Sequence, residues 1–416
     1  MKRLTNVIIG NSAAGLSATK AIRELDCFCP IILISAESCD AYSPVLLSYY
    51  LKGSLSEKDL FIAGSDFYKM NSIKTTFGSK VVEVDPMKQT IYLENGSKVE
   101  YDNLLIATGA SPTTLGISLD GLANVFSLRT IKDAERISEC AKMAKELIII
   151  GGGLIGLQAA DALAKKGVKL TIMEGAGQLL PNSVDADCAA IVQKEIEAYG
   201  ISVLLGEKVK GVENRGKKVI VISDSGKEAI ADMVIVGVGL KSNVGLVKNS
   251  NIEVNQGILV DEMMRTNVNN IFAAGDVSEG ENLVTGRREI LPTWGNACRQ
   301  GRTAGLNMAG SHQTCSGLRE TIVTTFGFTI ATIGLHETLG ERRLIELRFS
   351  SPESKIYRKV LLADNKMVGA ILLNKTRDAG ILGNLIRNRK NISPYKEKLP
   401  KAPLDIRELL LSVNSY

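Results

Sequence analysis

Two segments have residue types and spacing that could do chemistry: Gly10-Asn11-Ser12-Ala13-Ala14-Gly15 and Gly151-Gly152-Gly153-Leu154-Ile155-Gly156. Each follows an apolar run, Val7-Ile8-Ile9 or Leu147-Ile148-Ile149-Ile150, and each precedes a stretch with helical apolar spacing. In such a turn the first glycine lets the chain reverse tightly. A small middle residue lets backbone N–H groups approach a pyrophosphate, and the last glycine lets helix and strand pack closely. The helix start then faces the phosphates with unpaired N–H groups. Gly10, Ser12, Ala13, Ala14 and Gly15 are the candidates in the first turn, and Gly151, Gly153, Leu154, Ile155 and Gly156 in the second. Ser12 replaces the usual middle glycine, and its small size keeps the approach open.

The elements that must position these turns are legible around them. Leu4–Ile9 reads as a buried strand, and the helix after it turns Leu16, Ala18, Ile22 and Leu25 inward. A second strand, Ile31–Ile34, is followed by Glu37. In the second unit the strand is Glu146–Ile150, the helix runs through Ala159, Ala160, Leu163 and Ala164 to Gly167, and the strand Lys169–Met173 ends in Glu174. An acid after the second strand suits a ribose diol, from whose hydroxyls it accepts hydrogen bonds, and Glu174 lies 23 residues past Gly151, close to the expected ~20. The negative charge of Glu174 repels a 2′-phosphate, and Gly175-Ala176-Gly177 offers no Arg to bind one, so NADH is expected over NADPH. One glycine-rich turn is weak support for a ligand. Two, each with strand, helix and terminal acid, predict a bound dinucleotide cofactor and an exchanging cosubstrate, the logic of a flavoprotein reductase.

On these residues the chain resembles the two-dinucleotide-fold flavoprotein family, which includes NADH:rubredoxin reductases, ferredoxin reductases of oxygenase systems, the amino-terminal part of nitrite reductase and CoA-disulfide reductases. Three further motifs carry the likeness: Tyr101–Pro112 with its Ala107-Thr108-Gly109 turn, Ile271–Asp276 ending in Gly275-Asp276, and Pro292–Ala297 before a helix reaching Met308. The resemblance implies FAD bound by the first turn with Glu37, Val81, Ala107, Thr108, Gly109, Gly275, Asp276, Thr293, Trp294 and Ala297. Asp276 is expected on the ribityl chain, and the helix after Thr293 is expected to aim its positive end at the flavin. It also implies NADH bound by the second turn with Glu174, Gly237 and Gly239. The fold class is then α/β, with two Rossmann-like domains and a small C-terminal α/β domain. The FAD domain covers 1–112 and 243–320, split by an inserted NAD domain at 113–242, and 321–416 is the C-terminal domain. In that last domain Ile356–Leu362 and Met367–Leu373 read as a hairpin around Asp364-Asn365, and Gly380–Ile386 as a helix.

Departures from the family narrow the chemistry. No Cys-x4-Cys pair follows the first helix, and Val45 stands where thiol-dependent members carry a single Cys; a hydrophobe there is no nucleophile. Ferredoxin reductases of the family carry Arg, Lys and Glu where this chain has Pro44, Tyr49 and Gln158. The paired loss of Lys and Glu suggests that Tyr49 and Gln158 form a neutral hydrogen-bonded replacement beside the flavin. The function expected is transfer of electrons from NADH through FAD to an external acceptor, a small iron–sulfur protein of rubredoxin or ferredoxin type. An NADH oxidase or CoA-disulfide reductase is the alternative within enzymes, and a flavoprotein subunit or redox sensor of a larger complex the alternative outside them.

Composition sets the outer limits. The 416 residues are too many for one ordinary core. Seven scattered Cys argue against a disulfide framework, and two His against a His-rich metal site. The opening residues lack a signal-peptide core and no apolar run is long enough to span a bilayer, so a cytoplasmic protein is expected, with no membrane and no nucleic-acid partner. Residues 321–416 hold 16 Lys and Arg against 9 Asp and Glu. The densest basic run, Arg387, Arg389, Lys390, Lys396, Lys398 and Lys401, is where an acidic iron–sulfur acceptor would dock. A homodimer and a subunit of a larger redox complex are both open.

Overall fold

The apolar run Asn6–Ile9 forms a strand buried along its whole length, as residues with elements on both faces must be. It is the centre of a five-stranded parallel sheet. On one side lie Ile31–Ile34 and then Ile73–Thr76; on the other lie Asn103–Ile106 and then Ile271–Ala273. Strand order reverses between Asn6–Ile9 and Asn103–Ile106, the place where open parallel sheets bind dinucleotides. The Ala13–Leu25 helix makes the first crossover, and a three-stranded antiparallel sheet, Val81–Asp85, Thr90–Leu93 and Lys98–Glu100, extends the same core.

The computed structural model describes residues 3–114, 116, 121–164, 167–337, 344–393, 396, 397, 399 and 400. The chain sorts into two units, the first made of 1–46, 56–111 and 240–319, the second of 47–55, 112–239 and 320–416. Leu47–Leu55, which the sequence suggests belongs with 1–112, packs with the second unit.

The second unit repeats the arrangement of the first. Glu146–Ile150 lies between Lys169–Glu174 and Met233–Val236, with Ser202–Leu205 and Val125–Phe126 at the two edges, all parallel. Its order reverses between Glu146–Ile150 and Met233–Val236. The same unit carries a five-stranded antiparallel sheet in the order Glu320–Thr325, Phe328–Gly334, Lys366–Leu373, Ile356–Ala363, Ile345–Ser351. The expected hairpin is present: Ala363 pairs with Lys366, and Asp364 and Asn365 have φ of 49° and 58°, the left-handed pair that a two-residue hairpin turn requires. Helix Ala379–Arg387 follows. Arg358, 1% exposed, donates to Asp378 at 3.0 and 2.6 Å and to the Leu399 carbonyl at 2.7 Å. That full set of partners is what makes a buried guanidinium tolerable.

Candidate functional site

In the first unit the glycine spacing is enforced by backbone approach. Gly10 has φ +121°, and a Cβ there would lie 2.1 Å from the Ala107 carbonyl oxygen; a Cβ on Gly15 would lie 1.9 Å from the Gly10 oxygen. The turn is thus pressed against the Ala107-Thr108-Gly109 turn, whose Ala107 N–H donates to Ile9 at 2.8 Å. Ser12 starts the helix in extended conformation but its side chain makes no cap, and no acid occupies the first turn. The first-turn amides are therefore left for an outside anion, and the residues present fit the pyrophosphate of FAD.

The remaining FAD candidates converge on the same end of the sheet. Gly275, with φ +84°, sits where a Cβ would be 3.3 Å from the Ala14 Cβ and 3.6 Å from the Ala297 Cβ. Its N–H donates to the buried Gln300 amide at 2.9 Å. Asp276 follows, half-buried. Thr293 caps helix Trp294–Met308 by accepting from the Asn296 N–H, and Ala297 is buried one turn in. Glu37 is exposed and accepts from the Tyr42 hydroxyl at 2.8 Å. Val81 is buried in the shared core.

Four residues escaped the sequence reading. Gln300 holds Gly275 and Ser278 together. Asn243 stitches the Thr108–Ser111 turn through four bonds: it donates to the Thr108 and Gly109 carbonyls and accepts from the Thr108 and Ser111 hydroxyls. Gly301 and Gly305 lie where a Cβ would meet the Ala14 and Ala18 carbonyl oxygens at 2.1 and 2.3 Å, so the two helices flanking the site meet backbone to backbone. Their i, i+4 spacing was the available signal; Gln300 and Asn243 gave none.

In the second unit Gly151 has φ +104°, and a Cβ there would lie 2.5 Å from the Gly237 oxygen; a Cβ on Gly156 would meet the Gly151 oxygen at 2.0 Å. The strand end carrying Gly237 is thereby set beside the turn, with Gly239 two residues on at φ +129°. A Cβ on Gly153 would meet nothing within 4 Å, so this glycine leaves room for a ligand. Leu154 and Ile155 are half-buried at the helix start. The Glu174 carboxylate accepts from Gly152 N–H at 2.7 Å and Ala176 N–H at 2.8 Å. Its position is fixed by the turn it serves, and the residues fit an NADH adenosine.

Among the described residues no hydrogen bond joins Tyr49 to Gln158, so the expected neutral pair is not formed. The charges reappear one helical turn further on: Lys52 Nζ lies 2.6 Å from Asp161 Oδ2, with side chains 17% and 10% exposed. Tyr49 and Lys52 share helix Leu47–Lys52, and Gln158 and Asp161 share helix Leu154–Ala164, so the ion pair joins the same two helices at spacing i+3. Among the described residues no cysteine forms a disulfide, and Val45 is half-exposed. Among the described residues no group of three or more His, Cys, Asp or Glu could hold a metal, and no helix is long and apolar enough to cross a membrane. In the basic run Arg387 is paired with Glu320, Arg389 and Lys390 are exposed and Lys396 is half-buried. Lys398 and Lys401 lie outside the described residues.

Two glycine turns at two switch points define a pyridine-nucleotide flavoprotein. Residues 5–301 match the family described as pyridine nucleotide-disulphide oxidoreductase, to which the chain belongs. Residues 320–390 match the rubredoxin NAD+ reductase C-terminal domain. The chain is 28% identical to the epsilon subunit of NADH-dependent phenylglyoxylate dehydrogenase of Aromatoleum evansii, over 98% of this chain and 97% of that one. It is also 28% identical to the ferredoxin–NAD(+) reductase component of the 3-phenylpropionate/cinnamic acid dioxygenase of Photorhabdus laumondii, over 93% and 97%. The fold matches the covalent putidaredoxin reductase–putidaredoxin complex with a TM-score of 0.91 at 23% identity, covering 100% of both chains. The protein is an oxidoreductase with FAD as cofactor and NADH as cosubstrate.

Proposed function

We propose that this protein is a cytoplasmic reductase that passes electrons from NADH to a small acidic iron–sulfur protein of the rubredoxin or ferredoxin type. The observation that carries the reading is the pairing of two dinucleotide turns with a flavin-side segment that has Val45 where a thiol relay would need Cys. FAD, when bound, supplies the chemistry, taking hydride from NADH and releasing electrons singly. The chain's own residues supply position. Gly10–Gly15 and the uncapped amides behind Ser12 hold the cofactor pyrophosphate, and Asp276 accepts from its polyol. The N-terminus of helix Trp294–Met308 favours negative charge on the ring beside it. Gly153 admits the pyrophosphate of NADH, and Glu174 accepts from its ribose and disfavours a 2′-phosphate. No side chain has to move a proton, in keeping with a chain that holds two His.

Support for the acceptor comes from the C-terminal domain match and from the ferredoxin-reducing relative. The test is an anaerobic titration followed by an acceptor screen. The flavin is expected to bleach with about one equivalent of NADH, since one hydride carries both electrons, and NADPH is expected to bleach it poorly. Rubredoxin or ferredoxin should reoxidise it at a rate that falls with ionic strength. Rapid turnover with oxygen or CoA disulfide alone would replace this reading by an oxidase or disulfide reductase. A second reading, an electron-input subunit of a larger dehydrogenase, is favoured by the likeness to the epsilon subunit along nearly the whole of both chains. Gentle affinity purification from the native cell, with iron–sulfur subunits retained in fixed ratio, would establish it.

A further inference from the structure

Glu174 ends the strand beside the second glycine turn, and the loop after it, residues 175–185, closes back on that turn. Leu180 N–H donates to the Gly152 carbonyl at 2.9 Å. With Glu174 accepting from the Gly152 N–H, both backbone polar groups of Gly152 are gripped by this one stretch of chain. The grip has a conformational cost. Leu180 adopts φ +54°, a left-handed conformation that disfavours side chains with a Cβ, and it is held there fully buried, with its carbonyl accepting from Ser183 and Val184 at 2.9 and 3.1 Å. Something must hold the far end of the loop, because a strained residue persists only where its surroundings over-determine it.

The antiparallel sheet of residues 320–373 does so. Thr332 Oγ1, 3% exposed, donates to the Ser183 carbonyl at 2.9 Å. Tyr357 Oη donates to Asp185 Oδ2 at 2.6 Å, and Lys359 Nζ lies 3.1 Å from the same oxygen. Tyr357 and Lys359 are alternate residues of one strand, so they reach the loop from one face of the sheet; they are 1% and 3% exposed. Asp185 in turn caps helix Ala186–Ala198, its other oxygen accepting from Cys188 N–H at 3.2 Å. A further bond runs to the nucleotide helix itself, where Thr325 Oγ1 donates to the Leu157 carbonyl at 3.2 Å. Burial and the Asp185 carboxylate push the Tyr357 phenol well above its ordinary range, so it stays a donor.

We propose that Tyr357, Lys359 and Thr332 are positioning residues for NADH, setting residues 175–185 against Gly152 and so holding Glu174 and the turn in their binding geometry. The C-terminal sheet is then part of the nucleotide site as well as the domain nearest the acceptor in the proposed function. The inference rests on reading Gly151–Gly156 and Glu174 as the NADH site.

The test is equilibrium binding of NADH to the anaerobically pre-reduced holoprotein, whose flavin can take no further hydride, followed by NADH fluorescence, with FAD content and Tm measured on the same samples. Tyr357→Phe removes one hydroxyl and keeps the ring. It is expected to weaken NADH binding about fivefold or more, as the loss of a bond to a charged group would, and to raise KM while leaving kcat at saturating NADH and FAD content unchanged. Thr332→Val should act in the same direction and serves if Tyr357→Phe does not fold. Lys355→Met breaks an ion pair between the turn joining strands Ile345–Ser351 and Ile356–Ala363 and Glu195 of helix Ala186–Ala198 and should leave NADH affinity within about twofold, an exposed pair being worth little. Folded Tyr357→Phe or Thr332→Val with wild-type affinity would overturn the proposal, as would an equal loss in Lys355→Met. Wild-type protein that binds no NADH would instead overturn the reading of the site itself.

Discussion

Glu174 has two tasks whose physics differ. Its carboxylate organises the turn by accepting two backbone N–H groups, and its charge selects the nucleotide by repelling a 2′-phosphate. Glu174→Gln separates them. The amide places an NH2 where one N–H now donates, so one bond is lost, at about 1–2 kcal/mol, while the charge disappears altogether. The expected outcome is a modest fall in Tm with a fall of about tenfold or more in the ratio of kcat/KM for NADH over NADPH, one bad charge contact being worth about that much. Steady-state rates with both nucleotides check it. An unchanged ratio would mean that discrimination lies outside the carboxylate.

Helices Ala13–Leu25 and Trp294–Met308 meet backbone to backbone at Gly301 and Gly305, and the element scale is where that matters. Gly→Ala in a helix ordinarily gains up to about 1 kcal/mol. Gly301→Ala should do the reverse, because its Cβ would sit 2.1 Å from the Ala14 carbonyl oxygen and neither backbone can yield alone. Overpacking of this kind costs about 1–3 kcal/mol. Since Ala14 also belongs to the dinucleotide turn, the variant should lose FAD along with stability, which thermal melts and the flavin absorbance of the purified protein would show. Such elements were partly legible in the sequence. Glycine turns reveal themselves because each glycine answers a steric demand from its own neighbourhood, and the Asp364-Asn365 hairpin did so for the same reason. The Lys52–Asp161 pair was not legible, since its partners are 109 residues apart and meet only when two helices pack. Asn243 was hidden likewise: it serves a turn 135 residues earlier.

For the molecule as a whole, acid should be the condition that exposes how the second unit is tied. The Glu207 carboxylate is held down at about 2 by Lys227 and by the hydroxyls of Ser225 and Ser223. Its backbone N–H also donates to the Glu174 carbonyl at 3.0 Å. Lys218, with the Lys145 and Glu146 N–H groups, holds Asp232 below the usual carboxylate range. A carboxyl with a depressed folded-state pKa adds stability above its unfolded value and loses it as pH falls through the folded one. Stability should therefore be level above about pH 5 and decline below it. In Glu207→Gln the Tm deficit seen at neutral pH should shrink toward zero as pH approaches 2. A deficit that stayed constant down to that pH would show that Glu207 acts by shape and not by charge.

Strands Ala110–Pro112 and Leu240–Ser242 pair with each other, and Asn243 pins the turn before the first of them. The two strands are therefore one fastening: a slip of register in either would carry the other with it and pull at the Thr108–Ser111 turn that Asn243 holds.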